Sequence, residues 1–153
     1  MSKWLDSFDT AAGRAGQEAG LPGPVVRGLD GARWVWLWRG AIEGDGRMAE
    51  AGVGVRPDRL RGLEAEVWAS AWLVERPEIL QVERYPAREV EALLSTTQTS
   101  DVVDRLSAIL HDLLSRAWRE AERAARDLDE RAASKFDRRV EKLSQRLRDQ
   151  GLG

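Results

Sequence analysis

The chain contains one histidine, His111, and no cysteine. Arg105 precedes this histidine by six residues, in the run Arg-Leu-Ser-Ala-Ile-Leu-His. An imidazole can act as a general base or acid, and a guanidinium can stabilise the charge of a phosphorane. Arg105 and His111 are therefore the candidate catalytic residues. The missing cysteines exclude disulfides, thiolate metal sites and a cysteine nucleophile, and one histidine excludes a two-histidine mechanism within a single chain.

This spacing of arginine and histidine resembles the ribonuclease motif of the HEPN family. The resemblance covers seven residues. It implies a metal-independent ribonuclease in which two copies of the chain combine Arg105 and His111 in a composite site across a dimer. HEPN domains are all-helical, whereas residues 33–85 of this chain favour a sheet, so the ribonuclease is kept as an alternative function.

Acidic residues near the middle of the chain form a second pattern. Pro57-Asp58 followed by Glu64-Ala65-Glu66 resembles the PD-(D/E)xK nuclease pattern, in which two carboxylates bind a metal and a lysine contacts the nucleophilic water. Glutamate stands at the lysine position here. The sequence also contains no phosphate-binding loop, nucleophile elbow or zinc motif. It therefore predicts neither a cofactor nor a metal site.

Tryptophan is used well above its ordinary frequency, with seven residues in the chain. On strands, Trp34, Trp36 and Trp38 would share one face, and Trp68 and Trp72 would share one face. Together these five could form a platform that stacks bases, sugars or quaternary ammonium groups. The alternative is a core face packed under a helix around Trp118. The sequence leaves the choice between core and platform open.

Charges are nearly balanced over the whole chain, with 24 basic and 26 acidic residues and a formal net charge of -2. This total does not indicate a nucleic-acid-binding surface. The basic residues are concentrated towards the C-terminal end, where the segment 115–149 is rich in arginine. That segment could attract a mildly acidic partner, or it could be a solvated helix of mixed charge.

The N-terminal third predicts a helix and then an irregular segment. Residues 3–19 place apolar side chains at helical spacing, with acidic residues in the first turns. Residues 20–31 are rich in glycine and proline, which favours a linker or an extended arm. Residues 33–42 alternate aromatic and branched side chains as a strand does, and residues 47–55 can return as a second strand after the glycine-containing turn 43–46.

The apolar residues of the segment 63–74 fit both the two-residue period of a strand and the 3.6-residue period of a helix. Its alternation through twelve residues favours a strand, whereas the stripe Leu60, Leu63, Val67, Ala71 and Val74 fits a helix. We favour the strand because another strand-like run, residues 79–85, follows a turn.

Helices dominate the remainder. Pro86 suits the first position of a short helix over residues 87–94. Serine and threonine at 95–100 predict a break. From Val103 to Leu147 apolar residues then recur about every 3.7 residues, which predicts one nearly straight helix about 70 Å long.

The sequence therefore predicts an α+β fold. It consists of a small antiparallel sheet of about four strands, a short helix, and a long C-terminal helix that projects as a coiled-coil-like arm. We divide the chain into an N-terminal helix and linker (1–31), a sheet-plus-helix core (32–114) and a helical extension for assembly (115–153).

The predicted function is non-enzymatic. A lone projecting helix cannot bury its own apolar stripe, so we expect an adaptor or subunit that binds a second copy of itself or a protein partner. The expected partner-binding residues are Ala121, Ala125, Leu128, Ala132, Phe136, Val140, Leu143 and Leu147. Besides the ribonuclease, a nucleic-acid-binding protein using the arginine-rich helix is an alternative that the net charge does not favour.

We expect no membrane partner and a cytoplasmic location. The longest apolar runs are far shorter than the roughly 20 residues that span a bilayer. Asp6 and Asp9 interrupt any apolar region of a signal peptide.

Overall fold

Five antiparallel strands follow one another in chain order across one sheet. The computed structural model describes residues 3–43, 46–58, 62–96 and 101–151, without the side chains of Lys3, Asp58 and residues 129–140. The strands are β1 (Val26–Asp30), β2 (Arg33–Ile42), β3 (Arg47–Asp58), β4 (Gly62–Leu73) and β5 (Arg76–Pro86). The expected α+β class with an antiparallel sheet is confirmed.

The sheet has five strands where the sequence predicted about four. The additional strand is β1, which lies in the segment expected to be a linker or extended arm. It pairs with β2 through a tight turn in which Asp30 lies opposite Arg33, and Gly31 has the positive φ of 65° that such a turn requires. Local composition disfavoured a strand here, but the neighbouring edge of β2 provides the hydrogen-bond partners.

The segment 63–74, which fitted both a strand and a helix, forms a strand as favoured, except that Val74 lies in the turn after it. β4 pairs with β3 along its whole length, and Val53 lies opposite Val67. Pro86 was expected to begin a helix, and this was wrong because it is the last residue of β5. Proline is tolerated at the end of an edge strand, since no further strand needs its missing N–H.

Helices cover one face of the sheet. They are α1 (Lys3–Glu18), α2 (Arg88–Ser95) and α3 (Val102–Asp149). α1 packs on α3, α2 packs on β4, and α3 crosses β3 and β4. The expected long C-terminal helix is therefore present.

The core lies between the helices and the sheet. Trp36 and Trp38 are buried on the covered face, where the Trp36 ring lies 4.4 Å from that of Phe8 in α1. The Trp36 indole N–H donates to Asp9 at 2.9 Å, and Asp9 also pairs with Arg27 of β1. These contacts attach α1 to the first two strands.

α3 contributes one continuous buried stripe over its first half. Its members are Leu106, Leu110, Leu114, Ala117, Ala121, Ala125 and Leu128, none more than 2% exposed. All but Leu128 belong to one cluster with residues of α1 and of the sheet. One core thus contains residues from all three predicted segments, 1–31, 32–114 and 115–153.

Candidate functional site

The predicted partner-binding residues of α3 fall into two groups with different environments. Ala121, Ala125 and Leu128 are buried within the single chain, so the chain's own elements cover them. Leu143 and Leu147 are 58% and 48% exposed, and every residue from 141 to 151 is exposed. The side chains of Ala132, Phe136 and Val140 lie outside the described part of the structure.

Leu143 and Leu147 lie four residues apart, so they are neighbours on one side of α3. The other side of the same turns carries Gln145, whose amide N–H donates to Asp149 at 3.0 Å. An apolar pair beside a polar face is the arrangement that one helix offers to another.

Arg105 and His111 both lie on α3, but on different sides of it. Arg105 is exposed and His111 is half-buried. Six residues along a helix turn the side chain by about 600°, so the two directions differ by about 120°. Next to the histidine, a hydrogen bond and the positive charge of Arg116 hold the pKa of Asp112 below its usual value. A single copy does not bring Arg105 and His111 into one site.

Two carboxylates of the nuclease-like pattern, Glu64 and Glu66, pair with arginines, whereas the side chain of Asp58 lies outside the described part of the structure. Glu64 accepts a hydrogen bond from Arg56 at 2.7 Å. Glu66 binds Arg33 and also accepts from Arg84 at 2.7 Å. Within the described ranges, no group of three or more acidic, histidine or cysteine side chains could hold a metal ion.

A cluster around Trp68 was not predicted from the sequence. Trp68 lies on the face of the sheet opposite the helices, which we call the open face. Its indole N–H donates to Glu50 of β3 at 2.8 Å. The same carboxylate accepts two bonds from Arg39 of β2, at 2.9 and 2.7 Å. Glu50 is thereby a buried carboxylate with its charge paired, which is what burial of an acid requires.

The Trp68 ring lies flat against the sheet. A Cβ atom at Gly52 would overlap the indole, so glycine is what permits this close approach. The guanidinium groups of Arg33 and Arg84 stack on the ring at 5.2 and 5.8 Å from its centroid. Arg39 stacks in the same way on Trp72, at 5.3 Å.

The five-tryptophan platform does not form, because the tryptophans divide between the two faces. The register pairs Trp36 with Val53 on the covered face, whereas Trp68 and Trp72 of β4 lie on the open face. Alternation within each strand indicated two groups of tryptophans. The cross-strand register, which pairs Glu50 with Ser70, decides which face each group occupies.

Two cavities lie along the open face. One is open to solvent and has a volume of about 610 Å³ near the junction with α2, between Arg56, Arg88 and Tyr85. The other is a shallower, more open groove of about 410 Å³, lined by Trp68, Trp72, apolar side chains of β2 and β5, and charged side chains that include Arg39 and Glu50. They share Asp30, Arg33 and Arg84, so the second begins where the first ends.

Tyr85 joins the edge strand β5 to α3. Its hydroxyl donates to the Glu120 carboxylate. Partial burial, followed by this hydrogen bond and the negative charge of Glu120, raises the pKa of Tyr85 above its ordinary value.

Comparison with known proteins identifies no relative. No protein-family model matches the sequence, and no curated protein or solved structure is significantly similar to it. Among the helices in the described ranges, none combines the length and the apolar character needed to cross a membrane.

Proposed function

We propose that the protein is a non-enzymatic assembly subunit that binds a second copy of itself through the C-terminal end of α3. The observation that supports this is the exposure of Leu143 and Leu147 on a helix that buries the apolar stripe of its first half. Apolar side chains repeated along one side of an exposed helix gain free energy when a partner helix covers them.

A second copy is the partner that fits the charges best. Residues 141–149 carry Glu141 and Asp149 together with Lys142, Arg146 and Arg148. Mixed charges beside an apolar pair allow two antiparallel copies to place opposite charges next to each other. A uniformly charged partner would leave some of these groups opposite a like charge.

The test is the solution mass of Leu143→Asp compared with that of Gln145→Asp. Both variants add one carboxylate, but only Leu143 lies in the apolar pair. We expect Leu143→Asp to cost about 3 kcal/mol of association free energy, roughly a hundredfold in affinity, because the charge loses water without a partner. Gln145→Asp should change affinity by less than about fivefold, which corresponds to about 1 kcal/mol.

Light scattering at several protein concentrations measures both variants against the unmodified chain, whose single-copy mass is 17.1 kDa. A monomeric mass for the unmodified chain at micromolar concentration would contradict self-assembly. If the chain instead binds nucleic acid through the arginine-rich helix, the charged residues should matter and the apolar pair should not. Arg146→Ala and Arg148→Ala would then weaken a salt-dependent RNA or DNA complex.

A further inference from the structure

The open face of the sheet carries more apolar surface than a solvated face needs. An antiparallel sheet with helices on one side normally presents polar side chains on the other. Here the smaller cavity is lined by apolar side chains from three strands. These are Val35, Leu37, Trp68, Trp72, Pro77, Leu80 and Val82.

The cavity floor is recessed because Trp68 lies flat. Gly52 and Gly54 leave room for the indole against the backbone, and the guanidinium groups of Arg33 and Arg84 lie on its ring, so that Trp68 is only 5% exposed. The resulting volume of about 410 Å³ lies within the usual range for small-molecule sites, about 300–1,000 Å³.

The paired charges at one end of this cavity differ in how far their side chains are exposed to solvent. Arg39 and Glu50 form a pair, but the Arg39 side chain is 52% exposed and that of Glu50 only 11%. Both oxygens of Glu50 already accept hydrogen bonds, from Arg39 and from Trp68. A ligand at this end of the cavity therefore meets a guanidinium and not a carboxylate.

Stacking on Trp72 and the bonds to Glu50 hold Arg39 in position. A guanidinium has five N–H donors, and Arg39 uses only its Nε and one terminal nitrogen on Glu50. At the opposite end, Glu66 and Asp30 neutralise Arg33 and Arg84. Since the side chains of Glu66 and Asp30 are 35% and 67% exposed and that of Glu50 only 11%, an anion meets the least negative charge at the Arg39 end.

We infer that this cavity binds a small organic anion with an extended apolar body. The carboxylate or sulfonate of the ligand binds Arg39, and its apolar part lies against Leu37 and the exposed side chains of Leu80 and Val82. The Ser70 hydroxyl, in a residue only 5% exposed on the cavity floor, is a further hydrogen-bonding group. This inference is independent of assembly through α3.

The first experiment compares decanoate, decan-1-ol and decyltrimethylammonium by isothermal titration calorimetry below micellar concentrations. The three probes share a chain and differ in the charge of the head group. We expect decanoate to bind at least about tenfold more tightly than the alcohol, and the cation to bind most weakly. Equal binding of the acid and the alcohol would overturn the assignment of Arg39.

The second experiment locates the apolar part with two matched variants. Val82→Asp places a charge in the cavity, whereas Val74→Asp adds the same charge at a turn residue that is 56% exposed and outside the cavity. We expect Val82→Asp to weaken decanoate at least about tenfold and Val74→Asp to change it less than about twofold. Equal weakening in both variants would overturn the proposal.

A double variant tests the charge without leaving a buried acid unpaired. Arg39→Gln with Glu50→Gln removes the ion pair as a unit, and the amide oxygen introduced by Glu50→Gln can still accept from Trp68. The preference for decanoate over decan-1-ol should disappear, whereas binding of the alcohol should persist. A preference that survives in the double variant would overturn the assignment of Arg39.

Leu143→Asp distinguishes this site from the assembly surface, because that variant should bind decanoate normally. A chain that binds no decanoate, but loses self-association in Val82→Asp, would assign the open face to a second copy and overturn the inference. Thermal melting of every variant checks that it is folded.

Discussion

Trp68 shows how one glycine determines the position of a large side chain. The indole occupies the space that a side chain at Gly52 would need, and from there it reaches Glu50. Glu50 in turn pairs with Arg39. The positions of Trp68, Glu50 and Arg39 therefore all depend on position 52 being a glycine, which has no side chain. Sequence alternation placed Trp68 on the correct strand but gave no indication of this dependence.

Replacing Gly52 with alanine should destabilise the fold by about 1–3 kcal/mol, because the new methyl group displaces Trp68 and its bond to Glu50. Gly28→Ala in β1 is the matched control, since no atom lies within 4 Å of the added Cβ there. Urea unfolding measures both. A Gly52→Ala chain as stable as Gly28→Ala would contradict the packing described for Trp68.

Tyr85 offers a direct measurement because it is the only tyrosine. Its raised pKa means that the fold favours the neutral phenol. That contribution to stability is complete below the ordinary value of 10.0 and is lost as the pH rises above it. The tyrosinate absorbance of the folded chain should therefore appear well above pH 10.0, or only on unfolding.

Glu120→Gln should lower the midpoint of this titration, because it removes the negative charge beside the phenol and keeps a hydrogen-bond acceptor. Glu122→Gln, two residues along the same helix and bonded to Arg126, should leave it unchanged. If Tyr85 of the folded chain ionised near the ordinary tyrosine pKa of 10.0, the contact with Glu120 would be refuted.

At the scale of elements, α3 performs two different tasks along its length. As far as Leu128 it completes the core with α1 and the sheet, whereas its exposed residues 141–151 contribute nothing to that core. Ala121 and Ala125, which were expected to bind a partner, are buried within the single chain, in one cluster with residues of α1 and of the sheet.

Truncation separates these two tasks. A chain ending after Arg116 loses Ala117, Ala121, Ala125 and Leu128 from the core, and we expect it to be destabilised by about 3 kcal/mol or more. A chain ending after Val140 keeps them and should remain folded as a monomer. Circular dichroism melting and light scattering measure the outcome, and a stable chain ending at Arg116 would contradict the described core.

The whole molecule buries its described core within one copy. Assembly through Leu143 should therefore be reversible without unfolding, unlike that of an obligate dimer whose subunits fold together. At low concentration Leu143→Asp and the unmodified chain should melt within a few degrees of each other. If the dissociated Leu143→Asp chain is unfolded while Gln145→Asp is folded, folding and assembly are coupled.

The sequence by itself determined the α+β class and the long C-terminal helix, and it favoured, without deciding, the strand that the structure has at Gly62–Leu73. Each of these follows from a local period of apolar residues, and such a period persists whatever the element packs against. The exclusion of cysteine chemistry likewise follows from composition alone. The apolar period of the C-terminal helix also suggested assembly through the end of α3, which stays a proposal.

Only the tertiary structure decided the fifth strand, the division of the tryptophans between two faces and the burial of Ala121, Ala125 and Leu128. β1 forms because β2 offers it an edge, although its own glycine-containing sequence disfavours a strand. The cluster of Arg39, Glu50 and Trp68 joins three strands through their register. Cross-strand contacts of this kind depend on pairing between distant segments, which the period of any single segment does not encode.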